Sequence, residues 1–133
     1  MGPFALVSAL LPSMRARGDG HVVTIGSVAD RVIFPGNAAY SASKYGLRAL
    51  HEVLRAELRG SGVRATLISP SAVKTALWDR IDPDNQPGFT PRAEMLTPAA
   101  VADAVLYAIL APASVNVQPS RSRRASRCLC RCR

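Results

Sequence analysis

Two short runs of aliphatic and β-branched residues, 21–26 (HVVTIG) and 63–69 (VRATLIS), constrain the fold most strongly. Runs of this length and composition predict buried strands. Residues 3–16 before the first run and residues 38–59 between the two runs carry apolar residues at helical spacing. Parallel strands need a long crossover connection, which a helix usually supplies. The order therefore predicts an α/β fold in which helices cover a parallel sheet.

The ends of the helices carry local signals. Asn37 is expected to cap the helix at 38–59, and Gly60 is a natural stop for it. Thr97 and Pro98 have the residue types of an N-cap and a first helical position, so they predict a third helix that continues to about residue 110.

A long segment without periodicity separates the second strand from the third helix. Residues 71–96 are rich in Pro, Asp and Asn, and they predict a loop with a short helix near Ala76. A loop of this length in a compact domain is usually functional, for example as a lid over a substrate. Trp78 could contact a substrate there or cover the edge of the core. A brief strand is expected at 115–117.

The net charge of +8 is concentrated at the C-terminus. Residues 119–133 hold six of the 17 basic residues and no acidic residue, which leaves the rest of the chain at only +2. We expect the Arg/Ser/Cys tail, residues 118–133, to be disordered. Its arginines could bind phosphates nonspecifically, but no aromatic residue is interleaved with them, which weakens the case for a nucleic-acid binder.

The cysteines and histidines do not form a metal-binding pattern. All three cysteines lie in the tail at alternate positions, with no second ligand pair (Cys128, Cys130, Cys132). His21 and His51 are far apart and have no cluster of partnering residues, so both are interpreted as surface or packing residues. We predict no metal site, and the rest of the chain has no cysteine that could form a disulfide.

The sequence also bears on the compartment. No apolar run is long enough to cross a bilayer. Residues 1–12 are apolar but lack the basic start of a signal peptide, and the helical pattern continues beyond them. We therefore expect a cytoplasmic protein without a membrane partner.

Three polar residues point to acid/base chemistry. Tyr40 and Lys44 are four residues apart near the start of the second helix, and Ser27 lies thirteen positions before the tyrosine. Side chains four apart on a helix share one face, which brings the ammonium of Lys44 close to the phenol of Tyr40. A nearby cation favours the phenolate, so Tyr40 becomes usable as a proton donor and acceptor.

These residues, together with 22–27 (VVTIGS) and 68–75 (ISPSAVKT), resemble the short-chain dehydrogenase/reductase family. A Tyr-x-x-x-Lys motif alone is common by chance. A serine at the family's spacing, in the family's strand, loop and helix order, makes the resemblance specific. It implies a Rossmann-like, three-layer αβα fold with parallel strands.

The resemblance implies a role for each of the three residues. Ser27 would hydrogen-bond the carbonyl or hydroxyl oxygen of a small-molecule substrate, and Tyr40 would donate or accept the proton. Lys44 would favour the phenolate of Tyr40 and hold the ribose beside the nicotinamide. The implied reaction interconverts an alcohol and a ketone, with hydride transfer to or from the cofactor.

The implied cofactor is NAD or NADP, and the sequence does not distinguish the two. The resemblance assigns five residues to cofactor binding: Tyr40, Lys44, Pro70, Val73 and Thr75. The family's glycine-rich phosphate-binding turn has no counterpart in this sequence, and the position of the family's catalytic asparagine would precede Met1.

The expected organisation follows from these matches. Residues 1–117 would form the C-terminal part of such a domain, with the N-terminal half missing. The resemblance implies a homo-oligomer that pairs through helices 3–16 and 38–59. The alternative is an inactive fragment that at most associates with intact homologues, and a weaker alternative is a nucleic-acid binder that acts through the tail.

Overall fold

A computed structural model describes residues 2–112. The helices are α1 (Gly2–Arg17), α2 (Ala38–Glu57) and α3 (Pro98–Leu110), and the strands are β1 (Gly20–Ile25) and β2 (Val63–Ile68). The order of helices and strands is the predicted one, and their ends lie within about two residues of the sequence-based bounds. The strand expected at 115–117 and the basic tail lie outside the described residues.

The two strands pair in parallel, as predicted. Gly20 lies opposite Val63 at one end of the pair, and Ile25 lies opposite Ile68 at the other. Helix α2 connects the strands, so the carboxyl ends of β1 and β2 lie side by side. The segments that follow the strands therefore begin at the same edge of the sheet, and these segments include Ser27 and Pro70.

Helices cover both faces of this pair. On one face, Leu54 of α2 and Leu58, which follows α2, form a core with Val63. Partly buried apolar side chains of α1, β1 and β2 pack against this core (Val7, Leu11, Met14, Val22, Ala65). On the other face, Arg64 donates hydrogen bonds to carbonyl oxygens at the end of α3. Successive strand residues point to opposite faces, so α1 and α2 lie on one side and α3 on the other. This is the three-layer αβα arrangement.

The predicted caps differ in their contacts. The hydroxyl of Thr97 accepts a hydrogen bond from the amide of Ala100 at 3.1 Å, which satisfies one free donor at the start of α3. Asn37 occupies the cap position of α2, but its side chain makes no capping hydrogen bond. The first turn of α2 is therefore held by its own backbone and by packing.

The segment between β2 and α3 is a closed loop. Val73 and Leu96 pair at its base, and the amide of Lys74 donates to the carbonyl oxygen of Leu96 at 2.8 Å. One turn of 3₁₀ helix, Ala76–Arg80, confirms the short helix expected near Ala76, and a second turn covers Arg92–Glu94. Within residues 2–112, no helix has the length and apolarity needed to cross a membrane.

Candidate active site

Ser27 lies two residues after β1 and caps a single turn of 3₁₀ helix, Val28–Asp30. Its side-chain oxygen accepts a hydrogen bond from the amide of Ala29 at 3.2 Å. A hydroxyl has one proton and two lone pairs, so this contact uses one lone pair and leaves the proton available for donation. Ser27 is thus arranged to donate a hydrogen bond to an oxygen placed above the turn.

Tyr40 and Lys44 lie in the first two turns of α2. The ammonium nitrogen of Lys44 is 5.6 Å from the centroid of the Tyr40 ring, which is within the range of a cation–π contact. The Tyr40 side chain is 49% exposed, so an external molecule could reach it. The hydroxyl of Ser41, in the same turn, is buried and has no hydrogen-bond partner among the described residues.

The loop that follows β2 lies against the Ser27 turn. The amide of Gly26 donates to the carbonyl oxygen of Ile68 at 2.7 Å, and the amide of Val28 donates to that of Pro70 at 3.0 Å. Helix α2 packs against the same turn. The segment that follows β2, from Ser69 onward, is called the Pro70 loop. The structure thus brings Ser27, the start of the Pro70 loop and α2 to one edge of the sheet.

Val73 and Thr75, also expected at the cofactor, have their contacts within the long loop. The indole nitrogen of Trp78 donates to the carbonyl oxygen of Val73 at 2.8 Å. Thr75 precedes the 3₁₀ turn that contains Trp78, and its side chain makes no capping hydrogen bond. The rings of Trp78 and Phe89 meet edge to face with their centroids 6.2 Å apart. These two cofactor candidates therefore depend on the conformation of this loop.

The sequence interpretation did not include Asp30, whose carboxylate is fully buried beneath the Ser27 turn. Arg31 donates to both of its oxygens, at 2.6 and 3.2 Å, and Ser69 donates to Oδ2 at 2.8 Å. Arg48 of α2 lies 3.9 Å from Oδ1. The available signal was the Asp-Arg pair within six residues of the end of β1, a strand that the sequence predicts to be buried and that is only partly buried in the structure.

The protonation of Asp30 follows from these partners. Burial raises the pKa of the Asp30 carboxyl, but the hydrogen bonds from Arg31 and Ser69 and the charges of Arg31 and Arg48 outweigh it. The pKa of Asp30 therefore lies below its ordinary value, and the group is ionised at neutral pH. The same contact raises the pKa of Arg31.

The polar groups at this edge are of the kind that the ribose and nicotinamide end of a dinucleotide would need. Lys44 carries three N–H donors, and Ser27 and Tyr40 each carry a hydroxyl. Metal ligation has no comparable support, because the described part of the chain contains no group of three His, Cys, Asp or Glu side chains that could hold an ion.

Known proteins show which family the chain belongs to. The model of the short chain dehydrogenase family matches residues 1–86, and the chain belongs to this family. An uncharacterized oxidoreductase of Staphylococcus saprophyticus is 42% identical over 123 residues, which cover 86% of this chain and 50% of that protein.

Solved structures show the same relationship. The closed form of serine dehydrogenase complexed with NADP⁺ superposes with a TM-score of 0.71 at 30% identity, covering 85% of this chain and 48% of that one. A 3-oxoacyl-[acyl-carrier protein] reductase with bound NAD from Brucella melitensis gives a TM-score of 0.72 at 28% identity, covering 89% and 45%. The chain spans about half the length of these proteins.

Proposed function

We propose that this chain carries the catalytic part of an NAD(P)-dependent oxidoreductase that interconverts a secondary alcohol and a ketone. The observation that carries the proposal is the placement of Lys44 at 5.6 Å from the Tyr40 ring, on the helix that packs against the Ser27 turn. Membership of the short chain dehydrogenase family supports it.

The proposed chemistry assigns one task to each residue. In the direction of reduction, a reduced nicotinamide held beside Lys44 would supply the hydride that the carbonyl carbon accepts. Ser27 donates a hydrogen bond to the carbonyl oxygen, and Tyr40 transfers its hydroxyl proton to that oxygen as the C–O double bond becomes single. The resulting phenolate is stabilised by the ammonium of Lys44, which also holds the ribose hydroxyls. Oxidation runs through the same groups in reverse.

The cofactor would be NAD or NADP, as in the two solved structures described above. Pro70, Val73 and Thr75 would line its nicotinamide side. The start of this lining is well supported, because the carbonyl of Pro70 accepts a hydrogen bond from Val28 in the Ser27 turn. The Trp78 contact to Val73 would hold the remainder of the lining in place.

We also propose that residues 1–117 correspond to the C-terminal part of such a domain and that copies of the chain associate through α1 and α2. Phe4, Leu6 and Leu10 of α1 are between 47% and 62% exposed, which leaves apolar surface for a partner helix. Association with homologous chains without turnover is the second candidate function, and the same exposed residues favour it.

The decisive experiment measures turnover and cofactor binding with the same protein. The 133-residue chain is assayed alone and joined to the N-terminal half of the Staphylococcus saprophyticus relative. A 3-oxoacyl thioester with NAD(P)H is the probe for ketone reduction, because one neighbouring structure is named for this substrate. Serine with NAD(P)⁺ is a second probe, because another neighbour is named for it. The serine hydroxyl is a primary alcohol, so turnover of serine alone would support an oxidoreductase but would replace the ketone by an aldehyde.

The expected result is turnover of a probe that requires Ser27, Tyr40 and Lys44 in at least one of the two proteins. Ser27→Ala and Lys44→Ala should each reduce it strongly. Full activity in either variant would contradict the assigned roles. Binding to a homologous chain, with no turnover of any probe in either protein, would instead favour the second candidate.

A further inference from the structure

The carboxylate of Asp30 connects the segments that carry the proposed active site. It lies at the end of the 3₁₀ turn that Ser27 begins, and the amide of Asp30 donates to the carbonyl oxygen of Ser27 at 2.9 Å. The carboxylate itself is fully buried. Burying a charge raises the free energy of the folded state unless the charge is paired and hydrogen-bonded. The partners of the Asp30 carboxylate therefore determine whether it stabilises this part of the chain.

The partners of this carboxylate come from three parts of the chain. Arg31 belongs to the Ser27 turn and also donates to the hydroxyl of Ser69 at 2.9 Å. Ser69 is the residue before Pro70 and donates to Asp30 at 2.8 Å. Arg48 is one helical turn beyond Lys44 and places its guanidinium 3.9 Å from the carboxylate. The Ser27 turn, the Pro70 loop and α2 thus all contact the carboxylate of Asp30.

The space for this carboxylate is provided by a neighbouring glycine. A Cβ atom at Gly26 would lie 3.3 Å from Oδ2 of Asp30, 3.2 Å from the hydroxyl of Ser69 and 3.1 Å from a methyl group of Leu67. These separations are tight for carbon contacts, so a larger residue would displace at least one neighbour. The end of β1 is therefore shaped to accept the buried group.

We propose that Asp30 is a positioning residue for the oxidoreductase reaction. Through its contacts with Arg31, Ser69 and Arg48, it fixes the position of the Ser27 hydroxyl relative to Tyr40 and Lys44. The inference rests on the proposed function, because the position of Ser27 affects turnover only if Ser27 contacts the substrate. Asp30 itself does not touch the substrate in this scheme.

We call the contacts of Asp30 with Arg31, Ser69 and Arg48 the Asp30 clamp. The clamp can be tested in the 133-residue chain without any cofactor. Amide hydrogen exchange is measured at Ala29, which donates to the Ser27 side chain, and at Val28, which donates to Pro70. Asp30→Asn keeps the shape and removes the charge. It should accelerate exchange at both amides by about tenfold or more, the change expected when a charge-assisted hydrogen bond is lost. Ser69→Ala removes one hydroxyl and should give a smaller change in the same direction.

Glu57→Gln is the matched control for this measurement. Glu57 is an exposed carboxylate at the end of the same helix, and the ion pairs of Arg31 and Arg48 are made with Asp30 and Glu52, so loss of the Glu57 charge should leave exchange at Ala29 and Val28 unchanged. Unchanged exchange in Asp30→Asn would overturn the clamp. Equal acceleration throughout β1, β2 and α2 would also overturn it, because Asp30 would then contribute only general stability.

A double-mutant cycle on turnover separates positioning from stability. The kcat of Asp30→Asn, corrected for the folded fraction, should fall by about tenfold in the wild-type background and by much less in Ser27→Ala, because the loss acts through Ser27. The same fold-loss in both backgrounds would overturn the proposal. If the wild-type protein turns over none of the probes, the proposed function fails, and the exchange result alone decides whether Asp30 holds the Ser27 turn.

Discussion

Ser27 and Tyr40 are thirteen residues apart in the sequence, but their surroundings differ. Ser27 lies in a turn whose backbone is hydrogen-bonded to Pro70 and which ends at the buried side chain of Asp30. Tyr40 lies on an exposed first turn of α2, and the Asn37 side chain before that turn makes no capping hydrogen bond. The serine side of the site is held directly by contacts with distant residues, and the tyrosine side is held through its helix, which reaches the Ser27 turn at Arg48.

This difference shows where each side of the site is vulnerable. Ser69 is connected to Ser27 through two hydrogen bonds, one from Ser69 to the carboxylate of Asp30 and one from the amide of Asp30 to the carbonyl oxygen of Ser27. Tyr40 can be displaced through α2, whose buried residues, His51 and Leu54, lie about three and four turns further along the helix. The four predictions below either remove one side of the site or test what holds it.

The largest expected effect concerns the tyrosine. Tyr40→Phe keeps the ring and the contact with Lys44 but removes the hydroxyl that carries the proton. Turnover of a responsive probe should fall by about 10²- to 10⁴-fold, the usual contribution of a positioned acid/base group. Tyr45→Phe is the control, because Tyr45 is similarly exposed on the same helix but lies on another face. Equal losses in the two variants would remove Tyr40 from its role.

The next effect concerns the anchor of α2. Leu54 is 4% exposed at the centre of the core, so Leu54→Ala should lower the free energy of unfolding by about 2–5 kcal/mol. Val53→Ala, at a neighbouring position that is 56% exposed, should change it by less than about 0.5 kcal/mol. Urea denaturation measures both. A small effect at Leu54 would mean that α2 is not held by this core.

Removing the Asp30 clamp should lower the free energy of unfolding somewhat less than Leu54→Ala does. Urea denaturation measures this change as well. Asp30→Ala leaves Arg31 and Ser69 without their buried partner, and we expect a loss of about 2–3 kcal/mol. This is modest for a buried ion pair, because Arg31 remains partly exposed and can be hydrated. Asp103→Ala, at an exposed position of α3, is the control and should be nearly neutral. Similar losses in the two variants would contradict the importance of the Asp30 contacts.

The smallest effect is a pH dependence of stability. Burial lowers the pKa of His51, and this outweighs the nearby Glu52 carboxylate, while the charge of Arg55 lowers the pKa further. Burial and then Arg64 lower the pKa of His21. As the pH falls below the ordinary histidine pKa of 6.5, the two histidines therefore bind protons in the unfolded chain before they do so in the folded chain. The free energy of unfolding should decrease as the pH falls from about 6.5 toward about 5.

His51→Gln tests this assignment, because glutamine can keep a hydrogen bond to Thr24, which lies 3.1 Å from the His51 ring. The decrease between about pH 6.5 and 5 should become shallower in this variant. The contribution of Asp30 behaves differently, since its pKa is below the ordinary value of 3.8. Its stabilisation is present above that value and is lost only as the pH falls further. An unchanged slope in His51→Gln would exclude His51 as the source.

The fold was largely predictable because its signals are local. The β-branched runs around Val22 and Ala65, the helical spacing in α2 and the Thr97-Pro98 start of α3 each depend on a few neighbouring residues. The structure describes all three helices and both strands near their predicted bounds. The capping role of Asn37 was less predictable, because a suitable residue type does not guarantee the side-chain geometry that a capping bond requires.

The candidate site divides in the same way. The sequence by itself determined that Tyr40 and Lys44 share one face of a helix, because a spacing of four residues sets that neighbourhood wherever the helix lies. Only the tertiary structure decided that Asp30 is buried and that Ser69, 39 residues further along the chain, donates to it. That contact requires β1 and β2 to pair in parallel so that the segments after them meet, and no local rule specifies which residues a strand pairing brings together.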